Sequence, residues 1–117
     1  MIREMEKVEE GYVRTLIAKL DYEDQTLWRK QPKVFEECLR KSSALSIGRK
    51  IEGKSAIFVA EEDSKIVGLC WCIVVDRGVD RQGEIAEFYV EKDFRNRCIG
   101  KDLVTAAKQF LSMRKSR

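Results

Sequence analysis

Between Ala56 and Val90 the chain carries three short, apolar, β-branched runs in close succession, and directly afterwards the hydrophobic period changes to that of a helix. The runs are Ala56 to Ala60, Ile66 to Val75 and Glu84 to Val90. The charged connector Glu61 to Lys65 reads as a hairpin turn, and the stretch Asp76 to Gly83, rich in charge and glycine, reads as a longer loop. Ile99, Leu103, Ala106, Ala107, Phe110 and Leu111 then share one face of a helix that starts near Cys98 or Gly100 and runs almost to the last residue. A β-meander followed by an amphipathic helix leaves few folds open, because the helix must cover one face of the sheet that precedes it.

The N-terminal part has a different period. Ile2 to Met5 alternates weakly, as a short strand does, and Val8, Tyr12, Val13, Leu16, Ile17 and Leu20 follow as one helical stripe. Asp21 to Gln31 is a polar connector. Pro32, the only proline, fits the first turn of a second helix with the stripe Val34, Phe35, Cys38, Leu39 and Leu45. The order is β-α-α-β-β-β-α, an α/β (α+β) chain with a mixed or antiparallel sheet, expected to form one domain over residues 1–117.

Several function classes fall away on composition. There is no histidine, which removes Ser-His-Asp and Cys-His nucleophile pairs, histidine metal sites and the usual proton shuttle at neutral pH. Cys38, Cys70, Cys72 and Cys98 contain no CxxC pair, so no metal site is expected and reduced cytosolic thiols are the default. The longest apolar run, Ile66 to Val75, is far below the roughly 18 residues of a membrane span, and no leader-like segment opens the chain. A cytoplasmic protein without a membrane partner is expected. The net charge of +3, with both signs interspersed and no row of exposed aromatics between basic residues, ranks nucleic acid below other partners.

Chemistry concentrates between Glu84 and Val104. A strand, a short basic turn and a helix bring free backbone N–H groups and the positive end of a helix dipole to one point, which is an anion site suited to phosphate. Arg95, Arg97 and Lys101 add positive charge, and Gly100 lets a ligand approach the backbone. Two arginines at a helix start oppose the dipole unless an anion lies there.

Here the sequence resembles the GNAT N-acetyltransferases. Their signature, Arg/Gln-x-x-Gly-x-Gly/Ala at a strand-to-helix junction, is matched by Arg95 Asn96 Arg97 Cys98 Ile99 Gly100, except that Cys98 stands at the first glycine. The Glu84 to Val90 strand, the Phe94 Arg95 turn and the order of elements are similar to the family as well. The resemblance implies acetyl-CoA as co-substrate. Its pyrophosphate would lie on the amides of Asn96, Arg97, Cys98, Ile99, Gly100 and Lys101, and its pantetheine arm along the backbone of Phe88, Tyr89 and Val90. The implied reaction is acetyl transfer to a primary amine, small or on a protein, whose proton a base must take. By resemblance Glu84 is that base. As an ordinary residue it is a solvated carboxylate at a strand end, and Glu87, on the opposite face by strand parity, is the alternative.

Cys98 is either a reactive thiol beside arginines or a small gap-filler. Cys70 and Cys72 are expected as packed strand residues. Members of the family continue beyond this helix into further strands, one of which flanks the fourth, and into a tyrosine acid that Tyr12, Tyr22 and Tyr89 do not match. The strand Glu84 to Val90, with Ala86, Phe88 and Val90 on one face and Ile85 and Tyr89 on the other, is therefore expected to be covered by a second copy in a homodimer. A non-catalytic CoA-binding or interaction module is the alternative to the enzyme.

Overall fold

The central hairpin follows from its turn. Asp63 and Ser64 both take positive φ, 52° and 62°, the geometry with which a two-residue turn matches the twist of the strands it joins. It connects β2 (Ser55–Glu62) to β3 (Lys65–Asp76), and is tighter than the five-residue connector that charge alone indicates. The computed structural model describes residues 1–28, 35–43, 55–76 and 81–115. Within these, β1 (Ile2–Glu4) and β4 (Arg81–Val90) complete an antiparallel sheet in the order β1-β2-β3-β4. Arg3 ties β1 to β2 through two N–H donors to Glu61 Oε1, at 3.0 and 2.8 Å. The β4 strand starts three residues earlier than expected; residues 77–80 of the preceding loop lie outside the described residues.

A β-bulge decides how β4 presents its side chains. Trp71 pairs with Glu87 but Cys72 pairs with Ile85, so Ala86 is an extra residue with no ladder partner. Residues directly opposite in a ladder share a face. Ile85, Phe88 and Val90 therefore lie with Cys72, Cys70 and Gly68, while Glu84 and Glu87 lie together with Ile73 and Trp71. The expectation that the two glutamates face opposite ways, and that Ile85 shares a face with Tyr89, is overturned: strand parity fails across one inserted residue.

The last helix, α3 (Ile99–Lys115), covers the first of these faces. Ile99, Leu103, Ala107 and Leu111 pack onto Ala56, Ala60, Cys70, Cys72, Val74 and Val90 in one buried cluster. Beside these residues Phe58 of β2 meets Phe110 of α3 edge-on, with ring centroids 6.1 Å apart. A Cβ on Gly83 would lie 2.8 Å from Leu111 Cδ1, which makes glycine the residue that fits under this leucine.

The chain divides into two compact units, Met1–Met5 with Gly48–Arg117, and Glu6–Ile47. The second contains α1 (Glu10–Glu23) and α2 (Phe35–Ser43). Val13, Leu16, Ile17 and Cys38 are buried, and Phe35 meets Tyr22 edge-on at 5.9 Å. The expected stripe extends too far towards the N-terminus, since Val8 lies in a 3-10 turn (Lys7–Glu9) and both Val8 and Tyr12 are exposed. The described part of the expected polar connector is helical for a simple reason: no glycine or proline interrupts residues 21–28, and the helix passes into a wide turn at Asp24–Trp28, while residues 29–31 lie outside the described residues. Pro32, Val34 and Leu45 lie outside the described residues.

Candidate functional site

The site begins where β4 ends. Glu91 donates its amide to Val67 O at 2.8 Å, so by antiparallel alternation Tyr89 also turns its backbone groups towards β3, whereas Phe88 and Val90 turn theirs to the outer edge. Among the described residues this edge has no neighbouring strand. Of the three residues expected to pair with an extended ligand, two present their backbone outwards and Tyr89 does not. Tyr89 instead contributes its ring, which is buried beneath the Arg95 guanidinium, the guanidinium carbon standing 5.2 Å from the ring centroid.

A 3-10 turn, Lys92–Phe94, then reverses the chain, with Phe94 N–H donating to Glu91 O at 2.9 Å. Asn96 and Cys98 come next at φ 66° and 65°. Left-handed residues of this kind turn backbone N–H groups into a concave, anion-facing arrangement. Cys98 O accepts the first helical hydrogen bond of α3, from Asp102 N–H at 3.0 Å. The amides of Ile99, Gly100 and Lys101 thus occupy the helix start, where no preceding turn supplies carbonyl partners. Asn96, Arg97, Cys98, Ile99, Gly100 and Lys101 form one continuous strand-to-helix segment at this point, as expected.

Residues of this segment also make contacts that the sequence does not indicate. Gly100 serves packing: a Cβ there would lie 3.0 Å from Phe88 Cζ, so its absence seats the first turn of α3 on β4. Cys98 is exposed and fills no gap; it carries a Cβ at a backbone angle that favours glycine. Arg95 Nε donates to Val90 O at 2.8 Å. Arg97 is exposed and lies over the Phe94 ring at 5.1 Å. Tyr89 and Phe94, expected here for backbone pairing and for the turn, also place their rings under the two arginines, a side-chain role that the sequence does not indicate.

Glu84 and Glu87, both half-buried, occupy the sheet face away from α3. They stand two ladder positions apart, about 7 Å along the strand. Both side chains therefore leave the strand on the same side of the sheet. Cys70 and Cys72 are fully buried against α3, as expected. Burial first, and the neighbouring Cys72 thiol second, push the Cys70 thiol up to about 11. Burial likewise raises Cys72, whose Sγ–H donates to Ala56 O at 3.6 Å. Neither is a nucleophile at neutral pH. Among the described residues no His, Cys, Asp or Glu group is placed to hold a metal, and no helix is long and apolar enough to cross a membrane.

The family profile described as "Acetyltransferase (GNAT) domain" matches residues 53–117, more than half of the chain. Solved structures with the same fold include an acetyltransferase from Vibrio fischeri, 19% identical with TM-score 0.73, covering 100% of this chain and 90% of that one. A putative acetyl transferase from Pyrococcus furiosus is 24% identical with TM-score 0.69, covering 100% and 77%. An aminoglycoside acetyltransferase from an uncultured soil metagenomic sample, solved in complex with sisomicin, is 20% identical with TM-score 0.63, covering 100% and 72%. No curated protein matches the sequence.

Proposed function

This chain belongs to the GNAT acetyltransferase family, and from that premise we propose that it transfers the acetyl group of acetyl-CoA to a primary amine. The observation that carries the reading is the junction of β4 and α3, where outward backbone groups of Phe88 and Val90 lead directly into a helix start lined by the amides of Asn96 to Lys101. An extended arm ending in a pyrophosphate suits both parts. The arm adds to the strand edge, and the phosphates meet the dipole and the amides. Arg97 and Lys101 supply charge at the same end.

The amine reaches the thioester carbonyl from the face that carries Glu84 and Glu87. In the transfer a C–N bond forms, the C–S bond breaks, and the CoA thiolate leaves. An amine with a pKa near 10 must shed a proton to attack at neutral pH, and we assign that proton to Glu84, with Glu87 as the alternative. A backbone N–H at the β4 edge stabilises the developing oxyanion. The acceptor is a small molecule or a protein amine. We place the reaction in the cytoplasm, a reading supported by four cysteines that form no disulfide. We also propose a homodimer. The edge strand exposes Ile85 (43%) and Phe88 (37%), an apolar pair that a second copy would cover.

The test is a thermal melt with and without acetyl-CoA, followed by thiol release with a panel of amines. At 100 times the dissociation constant the cofactor adds about 2.7 kcal/mol, a shift of several degrees. No shift at millimolar acetyl-CoA removes the proposal. A shift without turnover leaves a binding module in place of an enzyme.

A further inference from the structure

We propose that Arg95 is a positioning residue whose side-chain N–H, more than its charge, holds the anion-facing loop on the end of β4; the inference rests on the acetyl-CoA reading above. Val90 is the last residue of β4, and its carbonyl points to the outer edge of the sheet. Arg95 Nε, five residues further on, donates to that carbonyl at 2.8 Å, and the guanidinium settles on the Tyr89 ring at 5.2 Å. The two contacts fasten the chain back onto the strand it has just left. The backbone alone does this weakly, because Arg95 N–H reaches Lys92 O only at 3.4 Å.

The residues immediately after Arg95 need such a fastening. Asn96 and Cys98 both sit in the left-handed region, where residues with a Cβ persist only when their surroundings fix them. The amides proposed to bind phosphate begin at Asn96. Their direction is therefore set by where Arg95 is anchored. The contact also ends the strand edge chemically, since with the Val90 carbonyl engaged an incoming extended ligand meets the Val90 N–H and the Phe88 groups.

The geometry separates donor from charge. Arginine Nε lies four bonds from Cα, and so does glutamine Nε2, which donates but is neutral. Methionine reaches the same distance with no donor. Lysine keeps the charge but places its donor one bond further out. Arg97, exposed and stacked on Phe94, and the exposed Lys101 are the residues left to act through charge.

The experiment measures two quantities on the full chain for the unmodified protein, Arg95→Gln, Arg95→Lys and Arg95→Met. These are amide hydrogen exchange over residues 91–98 without ligand, and CoA affinity by calorimetric titration. Arg95→Gln is expected to stay within about threefold of the unmodified protein in both. Arg95→Met is expected to exchange about tenfold faster and to bind about tenfold more weakly, the size of one lost hydrogen bond. Arg95→Gln behaving like Arg95→Met, with Arg95→Lys unchanged, overturns the proposal in favour of charge. Unchanged exchange in Arg95→Met overturns it as well. If the unmodified protein binds no CoA, the acetyl-CoA reading falls, and the exchange data still decide whether the N–H of Arg95 holds the loop.

Discussion

Replacing Cys98 by glycine should stabilise the protein, and the size of the gain follows from one backbone angle. Cys98 has φ 65°, where a Cβ crowds the following carbonyl at a cost of about 1–2 kcal/mol. Its side chain is exposed and fills no space in the core, so its removal leaves no cavity to set against that relief. Glycine loses more conformational freedom on folding, which returns about 0.5–1 kcal/mol. The net gain is about 0.5–1 kcal/mol. For a chain of 117 residues this raises the melting temperature by roughly 2–5 °C, on the scale of a few degrees per kcal/mol. Cys98→Ala is the control, because it removes the thiol and keeps the Cβ; its melting temperature should stay within about 1 °C of the unmodified protein. Thermal melts under reducing conditions measure both. A glycine variant that melts lower, or an alanine variant that gains as much as glycine, would refute the argument from backbone geometry.

The buried thiols predict alkaline lability. The Cys70 thiol ionises at about 11 in the folded state against an ordinary 9.0, so above pH 9 the unfolded chain loses a proton that the folded chain keeps, and stability present below pH 9 is lost as pH rises towards 11. The loss approaches roughly 2–3 kcal/mol, and denaturant titrations from pH 8 to 11 should show a smaller decline in Cys70→Ala. Glu84→Gln should keep acetyl-CoA affinity and lower turnover by about 100-fold, measured as thiol release. If Glu87→Gln shows that loss and Glu84→Gln does not, the base is Glu87. Light scattering at micromolar concentration should give the mass of two chains, and Phe88→Glu should shift it towards one; a single-chain mass for the unmodified protein rules out the homodimer.

The fold was largely legible because its signals are local. The change of hydrophobic period at residue 98, the charged connector of the β2–β3 hairpin and the basic strand-to-helix turn each lie within a few consecutive residues, and propensity and period act at that range. The helix-start segment from Asn96 to Lys101 was legible for the same reason, since the start of a helix exposes its amides whatever surrounds it. Partner-dependent features stayed hidden. The bulge at Ala86 exists only in the register between β4 and β3, and nothing at Ala86 itself marks it, yet that one residue sorts Ile85, Phe88 and Val90 to the helix side and brings Glu84 and Glu87 together. Gly100 and Gly83 read as freedom for the backbone, whereas the structure uses them as seats, for Phe88 under the first turn of α3 and for Leu111 over β4. Arg95 read as one more positive charge until the Val90 carbonyl and the Tyr89 ring stood beside it. A residue's type and neighbours in sequence determine which interactions it is able to make; which of them it makes depends on what register and packing place within about 3 Å of its atoms.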